Sequence, residues 1–109
     1  RIVISDAGFP IPAGVPCIDL SMGPNLPKVP DVLRMIALEL PVEQFWFANE
    51  IQPSADARAK ELLEIFPKAE CIPLPHAEFK KLAYGAVGVI RTGDYHAYGN
   101  VMVASGVAY

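Results

Sequence analysis

What this chain lacks narrows its possible roles before any motif is considered. It has no run of Lys or Arg and no basic stretch interleaved with aromatics, and its net charge is −3. A phosphate backbone would find little to hold, so nucleic acid is not an expected partner. No apolar run approaches the roughly 18 residues that span a bilayer, and no charged segment followed by an apolar one opens the chain. A cytoplasmic protein with no membrane partner is expected. Cys17 and Cys71, the 2 cysteines present, fall in no Cys-x-x-Cys or Cys/His spacing, which argues against a disulfide framework or a zinc site and predicts two reduced, buried thiols. Gly-x-Gly-x-x-Gly, Gly-x-x-x-x-Gly-Lys-Ser/Thr, Gly-x-Ser-x-Gly and His-Glu-x-x-His are all missing, so phosphate-cradling, serine-nucleophile and zinc-protease chemistries lose their usual support.

What is present is a chain of 109 residues, 52% of them hydrophobic, enough for one compact core and one domain over residues 1–109. A mean hydropathy of +0.30 is high for a small protein that stands alone, and points to apolar surface covered by other subunits. Ile2, Val3 and Ile4 are consecutive and β-branched, as in a strand buried on both faces. A short strand is expected at Cys17 to Leu20. Pro30 opens a helix with Asp31 in its first turn, and Pro41 closes it. That helix is apolar nearly all round, which predicts deep packing. Phe45, Trp46 and Phe47 have strand composition, and Ser54 can cap a following helix. In that helix Ala55, Ala59, Leu62, Leu63 and Phe66 form the inner face, while Asp56, Arg58, Lys60, Glu61 and Glu64 form the wet one. Strands at Ala69 to Leu74, Ala86 to Arg91 and Asn100 to Ala104, with a short helix from His76 to Ala83, complete the pattern. Such alternation predicts a three-layer αβα sandwich with a mainly parallel, Rossmann-like sheet, the final hairpin-like strand pair being antiparallel.

Ligands in such sheets sit beyond the carboxyl ends of strands, and chemistry-bearing residues cluster there. Asp6 ends the first strand and enters a turn with Gly8, where its carboxylate can bind hydroxyls, orient a histidine or simply satisfy nearby amides as an Asx-turn. His76 stands between Pro75 and a helix start; an imidazole there can exchange protons near neutrality, or serve only as a surface cap. His96 is the weaker of the two histidine candidates. Tyr98, Gly99 and Asn100 combine a phenol, a backbone that can pass close to a ligand and an amide that both donates and accepts, which suits sugar hydroxyls. The alternative is an ordinary hairpin loop between Gly93 and Gly99, with Arg91 pairing Asp94 across it.

Ser5-Asp-Ala-Gly-Phe-Pro-Ile-Pro12, Ile18-Asp19 and the tail from Val89 through Arg91-Thr-Gly-Asp-Tyr-His-Ala-Tyr-Gly-Asn100 to Tyr109 together resemble the D-ribose pyranase and L-fucose mutarotase family. The first motif is closer to the ribose branch; Tyr98-Gly99-Asn100 is shared with the fucose branch. The resemblance implies a cofactor-free isomerase that interconverts pyranose and furanose forms, or anomers, of a free monosaccharide. It implies catalytic roles for His76 and Asp6, substrate contacts at Asp6, His76, Tyr98, Gly99 and Asn100, and no metal. It further implies a ring-shaped homo-oligomer, commonly a decamer, with the site at a subunit interface reached by C-terminal residues of a neighbour. The family's proton-donor histidine lies in a Gly-His-x-Asp segment upstream of the first strand, and this sequence opens at Arg1 just after that point, as if an N-terminal segment were missing. A fucose-type mutarotase and a non-catalytic sugar-binding or regulatory subunit are the alternatives.

Overall fold

The computed structural model describes residues 1–51 and 57–106. Ser54, Ala55 and Asp56, assigned above to a helix start, and the last C-terminal residues lie outside them. Six strands form one sheet in the order β2-β5-β1-β6-β3-β4: β1 (Ile2–Ser5), β2 (Cys17–Asp19), β3 (Val42–Ala48), β4 (Glu70–Leu74), β5 (Gly88–Arg91) and β6 (Val101–Ser105). β1 with β5, β2 with β5 and β3 with β4 are parallel, while β6 runs antiparallel to both its neighbours, β1 and β3. Helices α1 (Val29–Glu39) and α2 (Ala57–Ile65) cover one face and α3 (His76–Ala83) the other. The expected three-layer architecture is therefore present.

Alternation along the strands assigns the two cores. Ile4, Phe45, Phe47, Val101 and Val103 point toward α1 and α2, where Leu33, Ala59, Leu62 and Phe66 meet them. Val3, Trp46, Val89 and Met102 point the other way, against Phe79 and Ala83 of α3 and against Phe9. Among the described residues no helix is long and apolar enough to cross a membrane.

Several expectations need correction. β5 and β6 do not form a hairpin: β1 lies between them, with Ile4 paired to Ile90 on one side and Val101 on the other. The segment joining them must cross the end of β1, and this carries it over Asp6. α1 is not deeply packed all round. It buries Val29, Pro30, Val32 and Leu33, whereas Met35 and Leu38 are 64% and 76% exposed, because a helix lying on a sheet can bury only one stripe. β2 is an edge strand with all three residues exposed, so Cys17 is an exposed thiol and Cys71 a half-buried one, both free. Leu63 is exposed and Arg58 buried, the reverse of the expected helix faces.

Candidate functional site

The carboxyl end of β1 opens into a cavity of about 620 Å³ lined by residues from three places in the chain: Asp6 to Pro10, His76, and Asp94 to Asn100 except Gly99. Asp6, His76, Tyr98 and Asn100 all line it, and so does His96. Gly99 lies buried behind this wall.

Asp6 is held through both its main chain and its side chain. Its backbone N–H donates to Asn100 Oδ1 at 2.7 Å, tying the end of β1 to the start of β6, and its Oδ1 accepts from Gly8 N at 3.0 Å, the Asx-turn contact. Burial raises the pKa of its carboxyl and the nearby Asp94 charge adds to the rise; the amides of Gly8, Gly99 and Phe9 offset only part of it.

His76 is the first residue of α3, after Pro75, which has no side chain able to cap the helix. Glu50 supplies the cap from the 3-10 turn Asn49–Ile51, its two carboxylate oxygens accepting from His76 N at 2.9 and 3.2 Å. This satisfies an orphan helix amide and complements the dipole. The imidazole sits in an aromatic bracket: edge to Tyr98 with centroids 5.1 Å apart, stacked on Phe79 at 6.4 Å and edge to Phe9 at 6.3 Å. Its Nδ1 is buried and has no hydrogen-bond partner among the described residues.

The turn from Asp94 to Asn100 carries the rest. Tyr98 adopts φ 56, a left-handed conformation that costs a non-glycine residue about 1–2 kcal/mol and that the surrounding turn must hold in place. Gly99 has no room for a side chain, since a Cβ there would stand 2.9 Å from His96 O and 3.2 Å from Arg58 Nη1. Gly93 is tighter still, because a Cβ would meet the carbonyl oxygens of Gly23 and Leu26. These two contacts, not a hairpin, explain both glycines.

Asp94 was expected to pair with Arg91, and it does not. Arg91 Nη2 donates to Ala7 O at 2.6 Å, and Nη1 lies 3.8 Å from Asp19. Asp94 instead pairs with Arg58 from α2, Nη1 to Oδ2 at 2.7 Å, while Oδ2 also accepts from Val29 N at 2.8 Å and Oδ1 from His96 N at 2.8 Å. Burial alone would raise its pKa; the Arg58 guanidinium and the His96 and Val29 amides outweigh that and hold it below the ordinary range. Sequence reasoning gave Asp94 the wrong partner and missed Arg58, Glu50 and Phe9. Only Phe9 left a signal, as a large aromatic in a turn otherwise built of Gly and Pro.

Fold and cavity together define a small α/β protein with an open cavity, lined by polar and aromatic side chains, at the carboxyl end of its first strand. The chain belongs to the RbsD / FucU transport protein family, whose sequence profile matches residues 1–108. It is 44% identical over 111 aligned positions to the D-ribose pyranase of Laribacter hongkongensis, covering 99% of this chain and 82% of that protein. The structure of Bacillus subtilis RbsD complexed with D-ribose superposes with a TM-score of 0.94 at 44% identity, over 99% of this chain and 82% of the other. The fucose mutarotase of Streptococcus pneumoniae, solved with L-fucose, shares the fold at a TM-score of 0.79 and 20% identity, over 99% of this chain and 83% of the other.

Proposed function

We propose that this protein is a D-ribose pyranase, an isomerase that interconverts the pyranose and furanose forms of D-ribose. The observation that carries the reading is the convergence of Asp6, His76, Tyr98 and Asn100 on one cavity from opposite ends of the chain. Likeness to D-ribose pyranases along essentially the whole chain supports the choice of sugar.

Ring opening of a cyclic sugar needs a proton delivered to the ring oxygen while the anomeric hydroxyl gives one up, which leaves the open-chain aldehyde. Reclosure through a different hydroxyl changes the ring size. The reaction already proceeds in water, so positioned acid–base groups contributing about 10²–10⁴-fold suffice. His76, whose ring lines the cavity edge to Tyr98, exchanges one proton with the sugar, directly or through water. Asp6 takes a second proton role: a carboxyl with a raised pKa accepts and returns protons more evenly than an ordinary aspartate. Tyr98 and Asn100 fix hydroxyls, and the Gly99 backbone keeps the wall thin, so that the reacting atoms sit in near-attack geometry.

The domain is read as one unit over residues 1–109, acting in the cytoplasm and assembling as a ring homo-oligomer with the site near a subunit boundary. Exposed Met35 and Leu38 on α1 and Ile18, Leu20 and Met22 around β2 supply apolar surface for such contacts. A monomer by light scattering at micromolar concentration would contradict the assembly. Magnetisation-exchange NMR on D-ribose tests the activity. Acceleration by the wild-type protein and its loss in His76→Ala are expected, whereas equal rates for the two would remove His76 from the mechanism, and saturable binding without acceleration would make the protein a sugar-binding subunit.

A further inference from the structure

We propose that Arg58 is a positioning residue of the sugar site, acting through Asp94 and the turn it holds, without touching the substrate. The inference rests on the ribose reading for its kinetic consequence, but its geometry stands apart from it.

Arg58 lies in the second position of α2 as described, among the exposed Ala57, Lys60 and Glu64, yet it is only 8% exposed itself. Withdrawing a guanidinium from water is costly unless a partner and further hydrogen bonds compensate, so an arginine buried between Ala57 and Ala59 has a reason to be there. The partner is Asp94, 2.7 Å away and 1% exposed. Through its two oxygens Asp94 joins three elements: Arg58 of α2, the first amide of α1 at Val29, and the amide of His96 in the cavity wall. The space above Gly99 is also closed by Arg58, whose Nη1 would stand 3.2 Å from a Cβ at that position. Gly99 sits between Tyr98 and Asn100, so the guanidinium backs the segment that carries two of the substrate-facing side chains. Asp94 lines the cavity and Arg58 does not, which places the arginine one layer behind the wall.

The pair is itself anchored outward. Arg58 Nε is 3.8 Å from Glu61 Oε1, the other Glu61 oxygen accepts from Arg34 Nη2 of α1, and Arg34 Nη1 lies 3.6 Å from Asp31. Five side chains of alternating sign thus run from the surface of α1 to the cavity. Among the described residues, the charged and titratable groups around Asp94 include Arg58 and Glu61 from α2, Arg34 and Asp31 further out on α1, Asp6 at the end of β1, and Tyr95 and His96 in its own turn; His76 and Tyr98 line the cavity with Asp6. Asp94 raises the proton affinity of Asp6, and the Arg58 guanidinium 2.7 Å from Asp94 places a positive charge beside the source of that effect. Loss of the guanidinium therefore has two consequences: the turn loses its backing, and Asp6 faces an uncompensated negative charge.

The test compares Arg58→Met, which removes charge and fork at similar volume, with Arg58→Lys, which keeps the charge alone. Two readouts need no substrate: the amide signals of His96 and Gly99, and a carbon-13 titration of the Asp6 carboxyl. Arg58→Met moves the amide signals and shifts the Asp6 titration to higher pH; Arg58→Lys returns the titration toward wild type while the amide signals stay displaced. Ring-exchange rates on D-ribose fall by about 10²-fold in Arg58→Met, the cost of a displacement on the order of 1 Å in a positioned group, and the pH limb set by Asp6 moves upward. Folded Arg58→Met with unmoved amide signals and an unmoved Asp6 titration overturns the proposal. Should Arg58→Met fail to fold, Arg58→Lys decides: displaced amide signals support the proposal, and wild-type signals overturn it. A wild-type protein that does not accelerate ribose exchange refutes the ribose reading alone, since the substrate-free signals still judge Arg58.

Discussion

Two carboxylates share one cavity wall, and their surroundings push them in opposite directions. Asp6 sits at the mouth of β1 with backbone amides as its donors and, among the described residues, no cation paired with it, and burial raises its pKa. Asp94, further in, has Arg58 and two backbone amides on its oxygens, and these win against burial to lower its pKa. On the proposed reading, the difference separates an acid that holds the structure, Asp94, from one that serves the ligand, Asp6. Pairs of like groups whose pKa values are driven apart commonly mark such a division of roles.

The contrast can be broken at either end. The largest expected effect is at Asp6: Asp6→Asn lowers the ribose ring-exchange rate by roughly 10²–10⁴-fold, the usual worth of one acid–base group. Its stability should respond the other way. A raised folded-state pKa favours the fold below the ordinary aspartate range, and that contribution is lost as pH rises through the raised value, so at neutral pH the ionised carboxylate works against folding. Asp6→Asn is therefore expected to unfold at an equal or higher temperature than wild type at pH 7, and a clear drop in Tm would contradict the assignment.

Next comes Asp94→Asn, which takes from the buried Arg58 the carboxylate 2.7 Å away and leaves it Glu61 at 3.8 Å; breaking this buried pair should cost up to about 3–5 kcal/mol in urea unfolding. The wild-type contribution of Asp94 is present above the ordinary value of 3.8 and is lost as pH falls from there through its lowered folded value. Acid unfolding curves of wild type and Asp94→Asn should converge in that window; parallel curves would argue that the pair contributes no pH-dependent stability. A smaller effect sharpens the view of the wall between the two acids. Gly99→Ala pushes a methyl group against His96 O and Arg58, and overpacking of this kind costs about 1–3 kcal/mol; weaker ribose binding by calorimetry should accompany it. The smallest effect is expected for Tyr98→Phe, which removes one hydroxyl and one hydrogen bond worth about 0.5–1.5 kcal/mol, read as at most a tenfold rise in the ribose dissociation constant.

Much of this arrangement was legible before any coordinates. The β-branched run at Ile2 to Ile4, the prolines at element boundaries and the apolar spacing of the helices are local signals, and they placed β1, α3 and the three layers. Asp6, His76, Tyr98 and Asn100, which the structure brings to one cavity, stood out because strand ends, helix starts and glycine turns are where α/β sheets expose side chains. What escaped depended on contacts between distant parts of the chain. Arg58 looks like one more charge on the wet face of α2, because helical periodicity cannot see a carboxylate 36 positions later that burial makes obligatory. Glu50 is equally ordinary in sequence, yet it caps α3 across 26 positions. The hairpin expected between β5 and β6 failed for a related reason: adjacency along the chain is the default for strand pairing, and only the insertion of β1 between them brings the tail over Asp6. Met35 and Leu38 misled in the opposite sense, their hydrophobicity reading as burial within the protomer when the sheet can cover just one side of α1.

The division between the two acids is tested most directly by a carbon-13 carboxyl titration of both residues with and without D-ribose. The expected result is Asp6 titrating above 3.8 and Asp94 below it, with ribose moving the Asp6 signal and leaving the Asp94 midpoint in place. Coincident midpoints, or a ribose response confined to residues outside the cavity, would contradict the account.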